Sequence, residues 1–513
     1  MKTLKPYKTA LSLIILLSLL SSSFADVRLP HVISANMVLQ RDVAIPIWGW
    51  ADPCETIKIK FDDYETQTKA DTKGNWQVKL PAKKAGGPFK MIIAGKNTIE
   101  LPNILVGEVW LCSGQSNMVW GVLNVINSKK EIAEAGYPQI RLFSVPNVFA
   151  GQPAADVDGA WAPCQSNTVA GFSAVAYFFG RELHKQLNVP IGLINASWNG
   201  SGIDAWTSAD GFAAVSSLQN LTKQIEEADR EYRKIITGSI NNVKFWVEST
   251  QKAIDNNSPL PSTLVLPRHP LADTTYPVKP TVLFNAQIHP LASFAIRGAI
   301  WYQGESNVVD GPLYTDKMKA LITGWRKVWG QGDFPFYYVQ IAPWTYTLYG
   351  LDPLAVPKLW EAQTAALAIA NTGMVVTTDI GDINNIHPFN KQAVGKRLAL
   401  WALAKTYNRP NIVYSGPIYK SMSVEGNKIR IRFDYVGSGL VSRYGKALDW
   451  FEIAGTDKNF VKAKAIIDGD TIIVSSKDAS NPVAVRFGWY ETAQPNLINK
   501  EGLPASPFRT DNW

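Results

Sequence analysis

Between Val106 and Arg409, short apolar runs repeatedly stop at polar turns, and stretches of helical spacing lie between them. Val109-Trp110-Leu111 stops at Ser113-Gly114, and Ile191-Gly192-Leu193-Ile194-Asn195-Ala196 stops at Ser197-Trp198-Asn199-Gly200-Ser201-Gly202. Ala299-Ile300-Trp301-Tyr302 runs into Gln303-Gly304-Glu305-Ser306-Asn307, and Met374-Val375-Val376-Thr377-Thr378 ends at Asp379. Phe336 to Ile341 reads as a further strand. Apolar residues recur at helical spacing over Ala174 to Gln186, Tyr314 to Trp329, Leu359 to Ala370 and Asn390 to Thr406. Such alternation implies an α/β fold, a mainly parallel sheet with helices on both faces. The carboxyl ends of its strands share one edge, where ligands bind, so the polar turns are expected to converge there.

The flanks differ in texture. Residues 26–105 read as an N-terminal β-sandwich, from Ile45-Pro46-Ile47-Trp48-Gly49-Trp50, the alternating Ile57-Lys58-Ile59-Lys60-Phe61, and Trp76-Gln77-Val78-Lys79-Leu80 after the turn Lys73-Gly74-Asn75. It either braces the catalytic region or binds carbohydrate. Residues 411–513 form a second β-sandwich, with Lys428 to Phe433 alternating and Thr471-Ile472-Ile473-Val474 as a buried run. Within the catalytic region, 106–410, the pattern breaks at about 209–280. There a charged amphipathic helix, Leu218 to Ile236, precedes a proline-rich run from Ser258, an insertion that either lines a cleft or only covers surface.

Residues 1–25 read as a signal peptide, with Lys2, Lys5 and Lys8 ahead of an apolar run from Ala10 to Leu20 and a small-residue cleavage site at Ser23-Phe24-Ala25. The run is shorter than the roughly 20 residues of a membrane span. A secreted or periplasmic protein without a membrane span is therefore expected. The net charge of +8 includes the leader lysines, and the remaining basic residues are scattered, which argues against a nucleic-acid partner. Cys54, Cys112 and Cys164 permit one disulfide, with Cys112–Cys164 the expected pair, and their spacing makes no structural zinc site.

Ser116 lies just past a strand end, placed like a nucleophile, although Met118 stands where a G-x-S-x-G elbow needs glycine and a helix-capping role is the competing reading. A serine hydroxyl needs a base. Of the five histidines, His387 follows the last strand of the α/β region in Asp379-Ile380-Gly381-Asp382-Ile383-Asn384-Asn385-Ile386-His387-Pro388, and His289 is the rival. Asp382 or Asp379 would orient the imidazole. The backbone amides of Ser116 and Gly200, with a side-chain amide from Gln303 or Asn307, would suit a developing oxyanion. Glu305, in the same turn, is a candidate substrate-binding residue.

Together these blocks resemble the sialate O-acetylesterase group of SGNH-type hydrolases: Gly114-Gln115-Ser116-Asn117-Met118, the Ser-Trp-x-Gly turn at 197–200, Trp301-Tyr302-Gln303-Gly304-Glu305-Ser306-Asn307, and Ile386-His387-Pro388 with Asn390-Lys391. Asn36-Met37-Val38-Leu39-Gln40 and Phe508-Arg509-Thr510-Asp511 extend the resemblance over nearly all of the chain after the leader. It implies an SGNH-type α/β/α core and a serine esterase releasing acetate from sialic acids, or from plant-wall sugars such as acetylated xylan. No cofactor or metal is implied. Ser116 would be the nucleophile, His387 the base, and Gly200 and Gln303 oxyanion donors. The sequence departs from the group at Asn199-Gly200-Ser201, where relatives often read Gly-Gly-Thr. It departs again at Asn385, where an aspartate often stands, leaving Asp382 or a backbone carbonyl behind His387. A non-catalytic carbohydrate-binding protein is the reading from another class. The oligomeric state is left open.

Overall fold

The computed structural model describes residues 26–513, so the expected signal peptide, residues 1–25, lies outside the described residues. Six strands, β1 (Val38–Gln40), β2 (Ile45–Trp50), β3 (Thr56–Phe61), β4 (Tyr64–Lys69), β5 (Asn75–Leu80) and β6 (Gly86–Ala94), precede the long β7 (Thr98–Gly114). After it come β8 (Tyr137–Ser144), β9 (Trp161–Cys164), β10 (Ile191–Ser197), β11 (Gly298–Tyr302), β12 (Phe336–Val339) and β13 (Thr372–Val375). The central sheet runs β13-β12-β11-β7-β10-β8-β9, and every pair is parallel except β8 with β9. This is an SGNH-like α/β fold with a mainly parallel sheet, carrying additional β modules.

β7 organises the molecule. Every residue from Ile104 to Gly114 is buried, because this half of the strand is covered on both faces. Val109 and Leu111 enter the core shared with the N-terminal module and with Tyr314, Met318 and Trp325 of the Leu313–Trp329 helix. Trp110 and Cys112 face the opposite core, against Val175 and Phe179 of the Ala174–Leu187 helix and Leu398 of the Lys391–Trp401 helix. The first half of β7 instead pairs with β6 and β1 of the N-terminal module, so one strand crosses from that module into the catalytic sheet. At the crossing Glu108 is fully buried, ion-paired with Arg41 and with Arg297 at 2.7 Å.

Two expectations are corrected. Cys112 and Cys164 are free thiols. They lie on β7 and β9, three strands apart in the sheet. At roughly 4.8 Å between neighbouring strands, that separation exceeds disulfide reach. The insertion helix does not stop near Ile236 but runs over Gln219–Asp255. The C-terminal region stacks two four-stranded sheets around Ile429, Ile453, Val474 and Phe487, and Arg509 fastens it to the catalytic region through Glu361 at 2.9 Å.

Candidate active site

The chain leaves β7 for β8 and returns to β10 beside β7, then crosses to β11 on the other flank. The direction of winding therefore reverses at β7, and the crevice at such a switch point, beyond the carboxyl ends, is where open α/β sheets bind ligands. Gly114 ends β7 between Ser197 of β10 and Tyr302 of β11. Its φ is +143°, and a Cβ there would stand 2.1 Å from the Tyr302 carbonyl oxygen, so only glycine fits. The Gln115 N–H donates to the Tyr302 carbonyl and the Trp198 N–H to the Gly114 carbonyl, both at 3.0 Å. Three strand ends are thus fastened under Ser116, the first residue of the short Ser116–Val119 helix. Gln115 occupies the N-cap position, so Ser116 is not the cap.

Ser116 and His387 both line a pocket of about 420 Å³, together with Trp120, Gly200 and Glu305, and no hydrogen bond joins the two side chains. The His387 ring stacks on Trp120, with centroids 4.7 Å apart and planes 21° from parallel. Burial, and secondarily the charge of Lys391, pull its pKa down to about 4, which leaves the imidazole neutral near pH 7. Among the described residues, neither the Ser116 nor the Gly200 backbone N–H donates a hydrogen bond. Gly200 has φ +62°, and a Cβ there would meet the Tyr276 hydroxyl at 2.9 Å. Tyr276 belongs to the insertion and contacts Trp198 edge-on at 6.1 Å, so the insertion reaches this turn.

Residues 281–404 match the carbohydrate esterase family of sialic acid-specific acetylesterases. The chain is 32% identical over 94% of its length to the sialate O-acetylesterase of Rattus norvegicus, covering 94% of that protein. It is also 32% identical to the Homo sapiens sialate O-acetylesterase, covering 92% of it. Among solved structures, a carbohydrate acetylesterase from Xanthomonas citri superposes with a TM-score of 0.80 at 37% identity, over 95% of this chain and all of that one. The chain belongs to the sialate O-acetylesterase family. It is a carboxylic ester hydrolase.

Within this sialate O-acetylesterase family member, the expected site residues divide. Ser116, His387, Gly200 and Glu305 meet at the pocket. Gln303 and Asn307 do not line it. The Gln303 amide donates to Asn307 Oδ1 at 2.7 Å and to Gln115 Oε1 at 3.0 Å, while the Asn307 amide donates to Asp310 at 2.7 Å. Both amides are spent holding turns together. Asp382 is also committed elsewhere: its carboxylate accepts the Asn384 N–H at 2.9 Å, and no hydrogen bond or ion pair joins it to His387. Asp379 is held by Arg397 through two bonds of 2.7 and 2.6 Å. Asn385 Oδ1 accepts the backbone N–H of His387 at 2.9 Å, so that position fixes the loop and not the ring. His289 lies apart from the pocket, its Nδ1 bonded to the Ala154 carbonyl at 3.0 Å. Trp206, Trp301 and Tyr302 are core residues, whereas Trp198 is partly exposed.

The sequence reading missed the polar chain beneath the pocket. Asn117 Nδ2 donates to Glu305 Oε1 and to the Ile386 carbonyl, and Lys391 Nζ donates to Asn117 Oδ1. Asn117 and Lys391 are fully buried and Glu305 is 8% exposed, with its Oε2 lacking any partner. Burial raises the Glu305 pKa and lowers that of Lys391 to about 7. The available signal was adjacency: Asn117 follows Ser116, and Lys391 follows Asn390, whose side chain caps the last core helix by accepting the Ala393 N–H. Among the described residues no cluster of His, Cys, Asp or Glu could hold a metal ion, and no helix is long and apolar enough to cross a membrane.

Proposed function

We propose that the chain is a secreted or periplasmic serine esterase that removes O-acetyl groups from carbohydrates, O-acetylated sialic acid first among them. The observation that carries this reading is the meeting of Ser116, a neutral His387 and two unengaged amides, those of Ser116 and Gly200, at one pocket. Ser116 Oγ attacks the acetyl carbonyl carbon while His387 takes its proton. The carbonyl oxygen becomes an oxyanion that accepts hydrogen bonds from the two amides. Collapse breaks the bond to the sugar oxygen, which leaves with the proton from His387, and the acetyl group stays on Ser116. Water, deprotonated by His387, then attacks this ester; acetate departs and the proton returns to Ser116. Glu305, which lines the pocket and is otherwise buried, is assigned to substrate binding. With Asp382 and Asp379 turned to other partners, the mechanism runs on a Ser116–His387 pair.

A second reading, an esterase for acetylated xylan or another plant polysaccharide with the same site, draws support from the likeness to the Xanthomonas citri carbohydrate acetylesterase. Acetate release from O-acetylated sialic acid and from acetylated xylan decides between them. Ser116→Ala and His387→Ala are expected to reduce release to background, with His289→Ala unchanged. Full activity in Ser116→Ala overturns the mechanism, and loss in His289→Ala but not in His387→Ala moves the base.

A further inference from the structure

A second cavity, of about 710 Å³, opens farther along the same edge of the sheet, lined by Phe149, Gln152, Tyr232, Arg268, His269 and Thr274 among others. Its near wall is the loop following β8, and β8 is two strands from β7 in the sheet. The β8 strand end therefore lies about 10 Å to the side of the Ser116 strand end. A line of rings spans the interval. Phe149 meets Trp198 edge-on at 6.0 Å, and Trp198 meets Tyr276, whose hydroxyl overhangs Gly200.

The walls are fixed. The Asn285 side-chain amide donates to the Ala150 carbonyl at 3.2 Å and that of Gln287 to the Val148 carbonyl at 2.9 Å, holding the β8 loop. His269, 5% exposed, accepts the Leu271 N–H at Nδ1, which leaves Nε2–H to donate to Asp229 at 3.0 Å. That bond ties the proline-rich return of the insertion to its long helix, and Tyr232 of that helix packs on the His269 ring at 4.8 Å. Gly151 lies flat on the same ring, where a Cβ would clash at 2.3 Å. Against this fixed frame Arg268 is exposed, with no ion pair or hydrogen bond to any described residue.

Aromatic faces beside a planar multi-donor group suit an amphipathic ring that presents C–H faces and oxygen atoms. The volume lies within the range of small-ligand sites. We propose that this cavity is a second sugar-binding subsite, which holds a neighbouring ring of the glycan whose acetyl group lies at Ser116. The inference rests on the esterase reading above and adds that the preferred substrate is an oligosaccharide. Phe149 and Tyr232 pack against the ring, and Arg268 donates to its hydroxyl or carboxylate oxygens.

The test is calorimetric titration of Ser116→Ala with two pairs of unacetylated probes, sialyllactose against free N-acetylneuraminic acid and xylotetraose against xylose. At least one oligosaccharide is expected to bind tenfold or more tightly than its own monosaccharide, and adding Arg268→Ala to Ser116→Ala should remove that advantage. Which pair responds tells an acidic ring from a neutral one. No advantage in either pair, or an advantage untouched by Arg268→Ala, overturns the subsite. Failure of the wild-type enzyme to release acetate from any acetylated sugar would instead overturn the esterase reading, which the titration does not depend on.

Discussion

The side-chain amide of Asn117 donates to the backbone carbonyl of Ile386 at 3.0 Å, joining the residue after Ser116 to the residue before His387. The two segments come from opposite ends of the catalytic region, so their relative position depends on such cross-links. Asn117 can bridge them because Glu305 and Lys391 fix its own orientation from either side. Asn117→Ala removes the bridge and leaves both buried ionisable groups without it. A misplacement of about 1 Å between reacting groups costs on the order of 100-fold in rate. A loss of about that size in kcat, with KM little changed, is expected in steady-state acetate release. Wild-type kcat in a folded Asn117→Ala would remove the bridge from the account.

His387 must be neutral to accept the serine proton, and its pKa is lowered to about 4, chiefly by burial. Since the protonated form is inactive, kcat/KM should hold steady as pH falls through 6 and drop only on approach to about 4. Lys391→Met deletes the smaller, like-charge contribution, so the acid limb should move upward while burial keeps it below the ordinary histidine value. A pH–rate profile of kcat/KM for both proteins reads this directly. An acid limb at the ordinary histidine pKa in the wild type would contradict the placement of the ring.

The strands were legible because burial on both faces writes an unbroken apolar run, as at Val109 to Leu111. The helices were legible because one buried face recurs at helical spacing, as over Ala174–Leu187. The first half of β7 was not read as part of the same strand: its residues alternate between buried and exposed, as suits a module edge, before the run becomes continuous. Residue types marked Ser116, His387, Gly200 and Glu305, since hydroxyl, imidazole, glycine and carboxylate at strand ends have few structural uses in common. Residue types at Gln303, Asn307 and Asp382 do not disclose the partners these side chains hold. An amide or carboxylate near a site is read as a donor or orienter, and only three-dimensional structure reveals that Asn307, Asp310 or Asn384 has already claimed it.

Glu108 carries the junction between the N-terminal module and the catalytic sheet. Its carboxylate is fully buried and is shared by Arg41 and Arg297, while Gln40 donates to it at 3.1 Å. Removing one member of a buried ion pair leaves the partners' charges uncompensated, typically at about 3–5 kcal/mol. Glu108→Ala is expected to lose stability of that order in urea denaturation, and Glu108→Gln less, because an amide oxygen still accepts. A change below about 1 kcal/mol, the level of an exposed pair, would mean that the junction does not depend on this cluster.

Gly200 tests the oxyanion assignment with little disturbance of the core, because it lies on an exposed turn. Its φ of +62° is a left-handed conformation, and an added Cβ would come within 2.9 Å of the Tyr276 hydroxyl. Gly200→Ala therefore has to shift the turn, and with it the unengaged amide. Loss of one oxyanion donor typically costs about 100- to 1,000-fold in kcat. A fall of that size is expected with the thermal midpoint nearly unchanged and with KM altered far less than kcat. The Gly200→Ala/Tyr276→Phe double variant removes the hydroxyl that the methyl meets. If the steric push on the turn is the cause, part of the rate returns; if the strained φ alone displaces the amide, the double variant stays as slow as the single one. An unimpaired kcat in Gly200→Ala would leave Ser116 as the sole backbone donor and require another group to complete the oxyanion site.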